Sequence, residues 1–148
     1  MEKASVRFIR LSASAVVPSY GTDSAAGADL RLLTDKEITI MPGETVLIHT
    51  GIALEIPEGY AGLIFARSGL ATKRDLAPAN KVGLIDSDYR GEIMVPLHNH
   101  GKAPQVLING ERVAQIVFVP YLHAEFTEAD SLSDTERGKG GFGSTGTK

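Results

Sequence analysis

The C-terminal segment RGKGGFGSTGTK combines groups that suit a nucleoside triphosphate. Arg137 offers a guanidinium for phosphate, the glycines expose backbone N–H groups, Ser144 and Thr145 add hydroxyls, and the ring of Phe142 can stack on a base. Phe142 is the only large apolar side chain of the segment, so the segment cannot build a packed core of its own. A solubilising tail is one interpretation. The single aromatic ring between a guanidinium and two hydroxyls favours a lid that orders over a nucleotide.

Four clusters in the body of the chain carry further groups that bind phosphates or bases. In chain order they are GADLR at 27–31, RSGLA at 67–71, NKVGLIDSDYRGEIM at 80–94 and GERVAQIVF at 110–118. The first cluster places Asp29 at the entry of an apolar strand, where it predicts either an ion pair with a neighbouring arginine or a functional contact. The second ends a strand at a predicted helix start. There Arg67, the Ser68 hydroxyl and exposed N–H groups suit a phosphate, although capping of the helix by Ser68 explains the pattern equally well.

The third cluster predicts a hairpin. An extended segment runs into the turn-like sequence from Asp86 to Tyr89 and leaves as a second strand through Gly91. The backbone of such a hairpin can read the edge of a planar base, with an aromatic ring beside it. A hairpin with polar turn residues and no ligand is the alternative. In the fourth cluster Gln115 interrupts a buried strand, so its amide must be hydrogen-bonded either to a structural partner or to a ligand.

The elements that must position these groups are mostly strands. Short apolar runs closed by turn residues recur about every ten residues, which predicts an all-β protein of jelly-roll or β-barrel type. The exception, residues 68–75, predicts one short helix that Ser68 caps, with its small residues facing inward. Asn109 and Gly110 predict a two-residue hairpin turn, because both tolerate the positive φ of a type I′ turn.

Composition limits the possible partners and compartments. A net charge of −3 over 148 residues gives no reason to expect nucleic acid or an anionic membrane as partner. The chain has no cysteine, and it shows neither a signal peptide nor a run apolar enough to span a membrane, so we expect a cytoplasmic protein. The spacing of the histidines does not favour zinc, since His98 and His100 have no third ligand nearby in the sequence. We expect three parts: a catalytic body at 1–130, a polar linker at 131–136 and a mobile Gly-rich lid at 137–148.

Taken together and in this order, the five clusters resemble the trimeric dUTP diphosphatases (dUTPases) over nearly the whole chain. The resemblance implies a β-jelly roll that assembles as a homotrimer with three active sites at subunit interfaces. Each site would combine the first, second and fourth clusters of one chain with the hairpin of a second chain and the tail of the third. The implied reaction is the hydrolysis of dUTP to dUMP and diphosphate, which removes dUTP and supplies dUMP for thymidylate synthesis.

The resemblance also implies roles for individual residues. Asp86 would activate the attacking water and hold the sugar 3′-OH, and Gln115 would bind the α-phosphate region and help to place that water. Tyr89 would pack under deoxyribose, and Asp29 would reach the shell of a Mg²⁺ ion through water. The remaining substrate-binding residues would be Arg67, Ser68 and Gly69 for the phosphates; Asn80, Gly83, Leu84, Ile85 and Met94 for uracil; and Arg137, Phe142, Gly143, Ser144 and Thr145 for closing over the bound nucleotide.

One departure from the family pattern is visible, and two rival functions remain. Ala66 stands where many family members have proline before the RSG element, which should alter the stiffness of that loop slightly. A dCTP deaminase of the same fold needs a glutamate over the base and has no need of a Phe-bearing lid. A catalytically silent nucleotide sensor or protein-interaction module is the other alternative, and the joint presence of Asp86, Tyr89, Arg137 and Phe142 argues against it.

Overall fold

The computed structural model describes residues 4–141, and within them the chain forms eleven strands and one helix. The strands are β1 (Arg7–Arg10), β2 (Ser19–Tyr20), β3 (Ala28–Arg31), β4 (Ile38–Ile40), β5 (Thr45–Glu55), β6 (Tyr60–Phe65), β7 (Leu76–Pro78), β8 (Gly83–Ile85), β9 (Glu92–Asn99), β10 (Gln105–Leu107) and β11 (Arg112–Pro120). The helix α1 spans Ser68–Arg74. In this part of the chain no helix has the length and apolar character that crossing a membrane requires.

The strands form three antiparallel sheets. One has the order β1-β5-β9-β7, a second has the order β2-β3-β11-β6-β8, and β10 pairs with β4 in a small third sheet. A single hydrophobic cluster contains buried residues of all three, including Ile48 and Val95 from the first, Ile116 from the second and Ile40 from the third. The sheets therefore share one core, and the predicted all-β jelly-roll class with a short helix is confirmed.

Strand β9 shows how the sequence pattern builds this core. Its burial alternates strictly, with Ile93, Val95, Leu97 and Asn99 buried and the residues between them half-buried. Successive side chains of a strand point to opposite faces, so this alternation lines one face of β9 with the core. The buried amide of Asn99 is satisfied, because its Nδ2 donates to the carbonyl oxygens of Ile40 and Ala103 at 2.9 Å each.

The helix forms where the sequence predicts it, but its cap differs. The N-cap residue is Arg67, in extended conformation and without a side-chain capping bond, and Ser68 is the first helical residue. The predicted capping by Ser68 is therefore wrong, and so is the inward orientation of the small residues, since only Leu70 of the helix is buried. The helix ends at Arg74, and the C-cap residue Asp75 adopts a left-handed conformation with φ 53°.

The predicted hairpin at Asn109 and Gly110 is wrong, although a turn is present. The amide of Glu111 donates to the carbonyl of Ile108 at 3.2 Å, and Gly110 has φ +82°. Asn109 is not among the non-glycine residues with positive φ, so the turn is not of type I′. The flanking strands β10 and β11 pair with β4 and β3 and not with each other, so this turn carries the chain between sheets.

The third cluster does not form a paired hairpin either. Strand β8 pairs with β6 in the five-stranded sheet, whereas β9 pairs with β5 and β7 in the four-stranded sheet. The turn residues reverse the chain as the sequence indicates. Local turn chemistry does not determine which strands then pair, and here the two strands join different layers of the fold.

Candidate active site

Three of the five clusters meet on the five-stranded sheet. The central strand β11 lies between β3 and β6, and in its register Gln115 is opposite both Asp29 and Phe65. Arg67 follows two residues after Phe65. The strand pairing thus brings together an acid, an amide and a guanidinium that are up to 86 positions apart in the chain.

Asp29 is held by two arginines. Its Oδ1 accepts a hydrogen bond from Nε of Arg67 at 2.7 Å, and its Oδ2 accepts one from Nη1 of Arg112 at 3.1 Å. Only 12% of the Asp29 side chain is exposed, so this ion pair is partly shielded from water. One of the two alternatives predicted for Asp29, an ion pair with a neighbouring arginine, is therefore present. Arg112 was not singled out from the sequence as a functional residue, although it lies within the fourth cluster.

Gln115 has the structural partner that its position in a buried strand requires. Its Nε2 donates to the carbonyl of Ala66 at 2.9 Å, which fixes the strand end that leads into α1. Its Oε1 lies against Gly27, where a Cβ atom would come within 2.6 Å of that oxygen. A glycine is therefore required at position 27 if Gln115 is to keep this orientation.

The start of α1 faces open space. Ser68 and Gly69 are exposed, and a Cβ added at Gly69 would meet no atom within 4 Å. Arg67 uses Nε for Asp29, and among residues 4–141 no acceptor engages its two terminal nitrogens. This corner of the sheet can therefore offer a hydroxyl, backbone N–H groups and two guanidinium donors to an anion.

The segment predicted to read the base lies along the edge of the same sheet. Gly83 is buried, and a Cβ there would lie 3.2 Å from Cβ of Ile64 and 3.4 Å from Nδ2 of Asn80. Leu84, next in β8, is 63% exposed, and Ile85 is half-buried. Because β8 is the last strand in the order of this sheet, its outer edge has backbone groups that a planar ligand could engage.

The Asp86–Tyr89 turn is held in place by its own hydrogen bonds. The Tyr89 amide donates to the carbonyl of Asp86 at 3.2 Å, and the Tyr89 hydroxyl donates to the carbonyl of Glu92 at 3.0 Å. Nη1 of Arg90 donates to the carbonyls of Ser87 and Tyr89 at 2.6 and 3.0 Å. Sequence reasoning missed Arg90, whose only signal was a cation placed directly after the acidic turn.

Asp86 lines an open cleft of about 850 Å³. The cleft also contains Asp88, Arg90 and the ion-paired side chains of Arg7 and Glu55. The Arg7 guanidinium holds the pKa of Glu55 below its ordinary value, mainly through their hydrogen bond. The Asp86 carboxylate, predicted to act as the general base, is thus accessible to water and lies among groups of both charges.

The remaining predicted residues lie in the four-stranded sheet, near the C-terminus or outside the described range. Met94 is half-buried in β9, opposite His49, and thus belongs to the four-stranded sheet. Arg137 is exposed, and its Nε donates to the carbonyl of Gly140 at 2.9 Å. The other predicted tail residues, Phe142, Gly143, Ser144 and Thr145, lie outside the described residues.

The site is divided between two ends of strand β6. Ile85 pairs with Gly62 near the beginning of β6, whereas Arg67 follows the end of that strand. Continuing this register by one residue places Asp86 level with Ala61, six residues before Arg67. A strand rises about 3.3 Å per residue, so Asp86 and Arg67 of one chain are roughly 20 Å apart along the sheet. Within one chain, the predicted general base Asp86 therefore lies far from the corner predicted to bind phosphate.

The described residues do not form an all-protein metal centre. Residues 4–141 contain no group of three or more His, Cys, Asp or Glu side chains that could hold a metal ion. The rings of His98 and His100 lie 4.4 Å apart edge to face, and Nδ1 of His98 is hydrogen-bonded to the Thr45 hydroxyl at 2.8 Å. Burial and the neighbouring His98 lower the pKa of His100.

An exposed carboxylate, a guanidinium, a hydroxyl and an amide, in a chain without cysteine, suit a hydrolase that cleaves phosphate anhydrides with water as the nucleophile. The comparisons with known proteins agree with this class. The family model of dUTPase matches residues 13–146. The deoxyuridine 5′-triphosphate nucleotidohydrolase of Desulfitobacterium hafniense is 51% identical over 145 residues, which cover 97% of this chain and 96% of that protein.

Other relatives show the same relationship. The deoxyuridine 5′-triphosphate nucleotidohydrolase of Shewanella pealeana is 47% identical over 140 residues, which cover 94% of this chain and 92% of that protein. A solved structure of Staphylococcus bacteriophage 80alpha dUTPase with dUPNHPP matches with a TM-score of 0.88 and 28% identity, covering 96% of this chain and 98% of that one. The chain belongs to the dUTPase family. The family resemblance and the enzyme class predicted from the sequence, a dUTP diphosphatase, are confirmed.

Proposed function

We propose that this chain hydrolyses dUTP to dUMP and diphosphate, and thereby removes dUTP and supplies dUMP for thymidylate synthesis. The observation that carries the proposal is the group of Asp29, Arg67 and Gln115, which three neighbouring strands assemble beside the exposed start of α1. The names of the relatives, nucleotidohydrolases of deoxyuridine 5′-triphosphate, support the choice of substrate. A cytoplasmic location stays a prediction.

In the proposed reaction the Asp86 carboxylate accepts a proton from a water molecule, and the water oxygen attacks the α-phosphorus. The bond between the α-phosphorus and the oxygen that bridges to the β-phosphate breaks, and diphosphate leaves with that oxygen. A positioned general base is typically worth about 10²–10⁴-fold in rate. Asp86 would also hold the sugar 3′-OH. Gln115 donates to Ala66 through one N–H, which leaves its other N–H for the α-phosphate region and the attacking water.

The phosphates would bind at the corner formed by Arg67, Ser68 and Gly69. The terminal nitrogens of the Arg67 guanidinium can donate to two phosphate oxygens, and the exposed Ser68 hydroxyl and Gly69 amide can donate to others. The tail would close this corner, with Arg137, Ser144 and Thr145 on the γ-phosphate. That part of the proposal rests on the sequence.

The base would bind along β8. The backbone of Gly83, Leu84 and Ile85 and the amide of Asn80 would hydrogen-bond the edge of uracil, with Met94 lining the pocket. Tyr89 would occupy the space of a 2′-OH and so select deoxyribose. Phe142, next to Gly143, would stack on uracil. A site built to satisfy a base edge rejects a wrong base strongly, because the buried polar groups then lose their partners.

The residues present fit a Mg²⁺ ion that is held mainly by substrate. Both oxygens of Asp29 already accept guanidinium hydrogen bonds, which argues against direct ligation, but each oxygen retains a lone pair for a water molecule. Mg²⁺ prefers phosphate and water oxygens to an all-protein cage. When bound there, the ion would offset phosphate charge and polarise the phosphoryl oxygens. Asp29 would orient a water molecule of its shell.

A homotrimer with shared active sites agrees with two observations. Asp86 and Arg67 of one chain are separated by roughly 20 Å along the sheet, so a second chain would complete the site. After β11, three large apolar side chains are almost fully exposed: Leu122 at 96%, Phe126 at 96% and Leu132 at 89%. Monomeric proteins rarely expose so many large apolar groups in one segment, so a partner subunit is their natural cover.

A comparison of substrates and of two neighbouring acids tests the proposal. We expect dUTP to be turned over with diphosphate release, and UTP, dTTP and dCTP to be poor substrates by several orders of magnitude in kcat/KM. Asp86→Asn should lower kcat by roughly 10²–10⁴-fold and leave binding of a non-hydrolysable dUTP analogue intact. The matched control is Asp88→Asn, which changes an exposed acid of the same turn and cleft.

Each alternative has its own outcome. Ammonia release from dCTP would establish the deaminase, and binding of dUTP without turnover would establish the silent sensor. A near-normal kcat in Asp86→Asn would remove that carboxylate from its proposed role.

A further inference from the structure

Arg112 is the least explained member of the cluster around Asp29. Its Nη1 donates to Oδ2 of Asp29 at 3.1 Å, while Nε of Arg67 occupies Oδ1 at 2.7 Å. The side chain of Arg112 is 46% exposed, against 24% for Arg67. One carboxylate thus serves two guanidinium groups, and the outer one lies nearer to solvent.

A β-bulge brings Arg112 to this position. The register between β11 and β3 shifts between Arg112 and Ala114, so that Arg112 is opposite Arg31 and Ala114 is opposite Leu30. Val113 and Ala114 are both fully buried, which breaks the alternation of the strand. Without the bulge Arg112 would share the inward face of Ala114. With it, Arg112 lies on the same side as Asp29, and bulges commonly re-aim side chains next to active sites.

The second guanidinium affects how Arg67 can bind Asp29. A carboxylate and a guanidinium tend to form two parallel hydrogen bonds. Here Arg112 occupies the second oxygen, and Arg67 contacts the carboxylate through Nε alone. Both terminal nitrogens of Arg67 are then left for another acceptor.

The net charge of the three side chains also favours binding of an anion at Arg67. Arg67 and Asp29 together are neutral, and such a pair attracts phosphate only weakly. With Arg112 the three side chains carry a net charge of +1, and a net positive charge within a few ångströms strengthens the attraction for an anion.

We propose that Arg112 is a positioning residue for the substrate phosphates. It offsets the charge of Asp29 and blocks a two-bond contact between Asp29 and Arg67, and so it keeps the Arg67 guanidinium available to the triphosphate. This inference rests on the proposed function of the site.

Substitutions that remove charge and donor separately test this inference. Arg112→Met removes both, Arg112→Gln keeps a neutral donor, and Arg112→Lys keeps the charge. Binding of a non-hydrolysable dUTP analogue and of dUMP is measured by calorimetry, together with kcat and KM for dUTP. The control is Lys102→Met, which removes one positive charge from an exposed turn.

We expect Arg112→Met to weaken binding of the triphosphate analogue roughly tenfold, with a smaller loss for dUMP because dUMP carries fewer phosphate charges. KM should rise more than kcat falls, Arg112→Lys should recover most of the affinity, and the control should match the wild type. If Arg112→Met does not fold, as judged by thermal melting, Arg112→Gln is measured instead. It should likewise weaken binding of the triphosphate analogue more than binding of dUMP.

Two results would overturn the inference. One is unchanged affinity for the triphosphate analogue in Arg112→Met. The other is an equal loss of affinity for the triphosphate analogue and for dUMP in Arg112→Met, with no recovery of affinity in Arg112→Lys. That result would make Arg112 a purely structural residue. If the wild-type protein releases no diphosphate from dUTP, the proposed function fails instead, so the two failures are distinguishable.

Discussion

Two of the proposed functional side chains are positioned by glycines that leave room for them. The Tyr89 ring lies over Gly91, where a Cβ atom would come within 2.3 Å of the Tyr89 hydroxyl oxygen. Gln115 lies against Gly27, where a Cβ atom would come within 2.6 Å of Oε1. Real Cβ atoms essentially never approach so closely, so the residue types at 27 and 91 decide where the phenol and the amide can lie.

Gly91→Ala should therefore loosen sugar discrimination without unfolding the protein. The added methyl group displaces the Tyr89 ring and breaks its 3.0 Å hydrogen bond to the Glu92 carbonyl. We expect the preference for dUTP over UTP in kcat/KM to fall at least tenfold, since the ring then fills less of the space of the 2′-OH. The two kcat/KM values check this. Gly21→Ala, at a glycine with no atom within 4 Å of the added Cβ, should leave the preference unchanged.

At the scale of elements, strand β9 is tied to an irregular part of strand β5. The register between them shifts between His49 and Ala53, and Gly51 within this stretch has φ +67°. Glu92, the first residue of β9, accepts a hydrogen bond from the Gly51 amide at 2.7 Å and lies 2.8 Å from Nδ1 of His49. Since β9 begins directly after the Asp86–Gly91 segment, this contact anchors the end of the proposed catalytic turn.

This anchor predicts a loss of stability in acid. Burial raises the pKa of Glu92, but the hydrogen bonds from His49 and the Gly51 amide outweigh it and hold the pKa below the ordinary 4.5. A carboxylate with a lowered folded-state pKa contributes stability above about pH 4.5, and the contribution is lost as the pH falls through the folded-state pKa. Glu92→Gln should therefore lower Tm at neutral pH and show less further loss in acid than the wild type.

Thermal melts between about pH 7 and pH 3 measure this. Glu37→Gln, at an exposed acid directly before β4, is the control and should follow the wild-type curve. A Glu92→Gln protein with the acid sensitivity of the wild type would show that other groups cause it.

At the scale of the whole molecule, we propose that a single chain is an incomplete enzyme. The proposed phosphate-binding corner lies at one end of β6, and the turn that carries Asp86 lies beside the other end. The segment after β11 leaves Leu122, Phe126 and Leu132 exposed. The proposed assembly, in which each site takes residues from more than one chain, would account for both features.

Mixing two inactive variants tests this directly. Asp86→Asn and Arg67→Ala should each be nearly inactive alone. After unfolding and refolding together in equal amounts, some sites receive an intact Arg67 from one variant and an intact Asp86 from the other. Random assembly should restore about a quarter of the wild-type activity. The control is the same mixture without refolding. If activity does not return, Arg67 and Asp86 of one site come from the same chain.

The sequence by itself determined the strand-rich class, the place of the short helix and the inventory of chemical groups. The regularly spaced apolar runs require a core, and the alternation of buried and half-buried residues along β9 places one face of that strand against it. The groups near Asp86 and near Arg67 are contiguous in the chain, so their types are visible without a fold. Turn positions were also visible, because glycine and asparagine act on the backbone within a few residues.

The tertiary structure decided which strands pair and which side chains meet. Both predicted hairpins were wrong, since turn chemistry reverses the chain but the burial of apolar faces selects the partner strand. Asp29 meets Arg67 across 38 positions and Arg112 across 83. The second contact depends on a bulge that breaks the alternation of β11. Such contacts follow from register and packing over the whole core, and no local propensity encodes them.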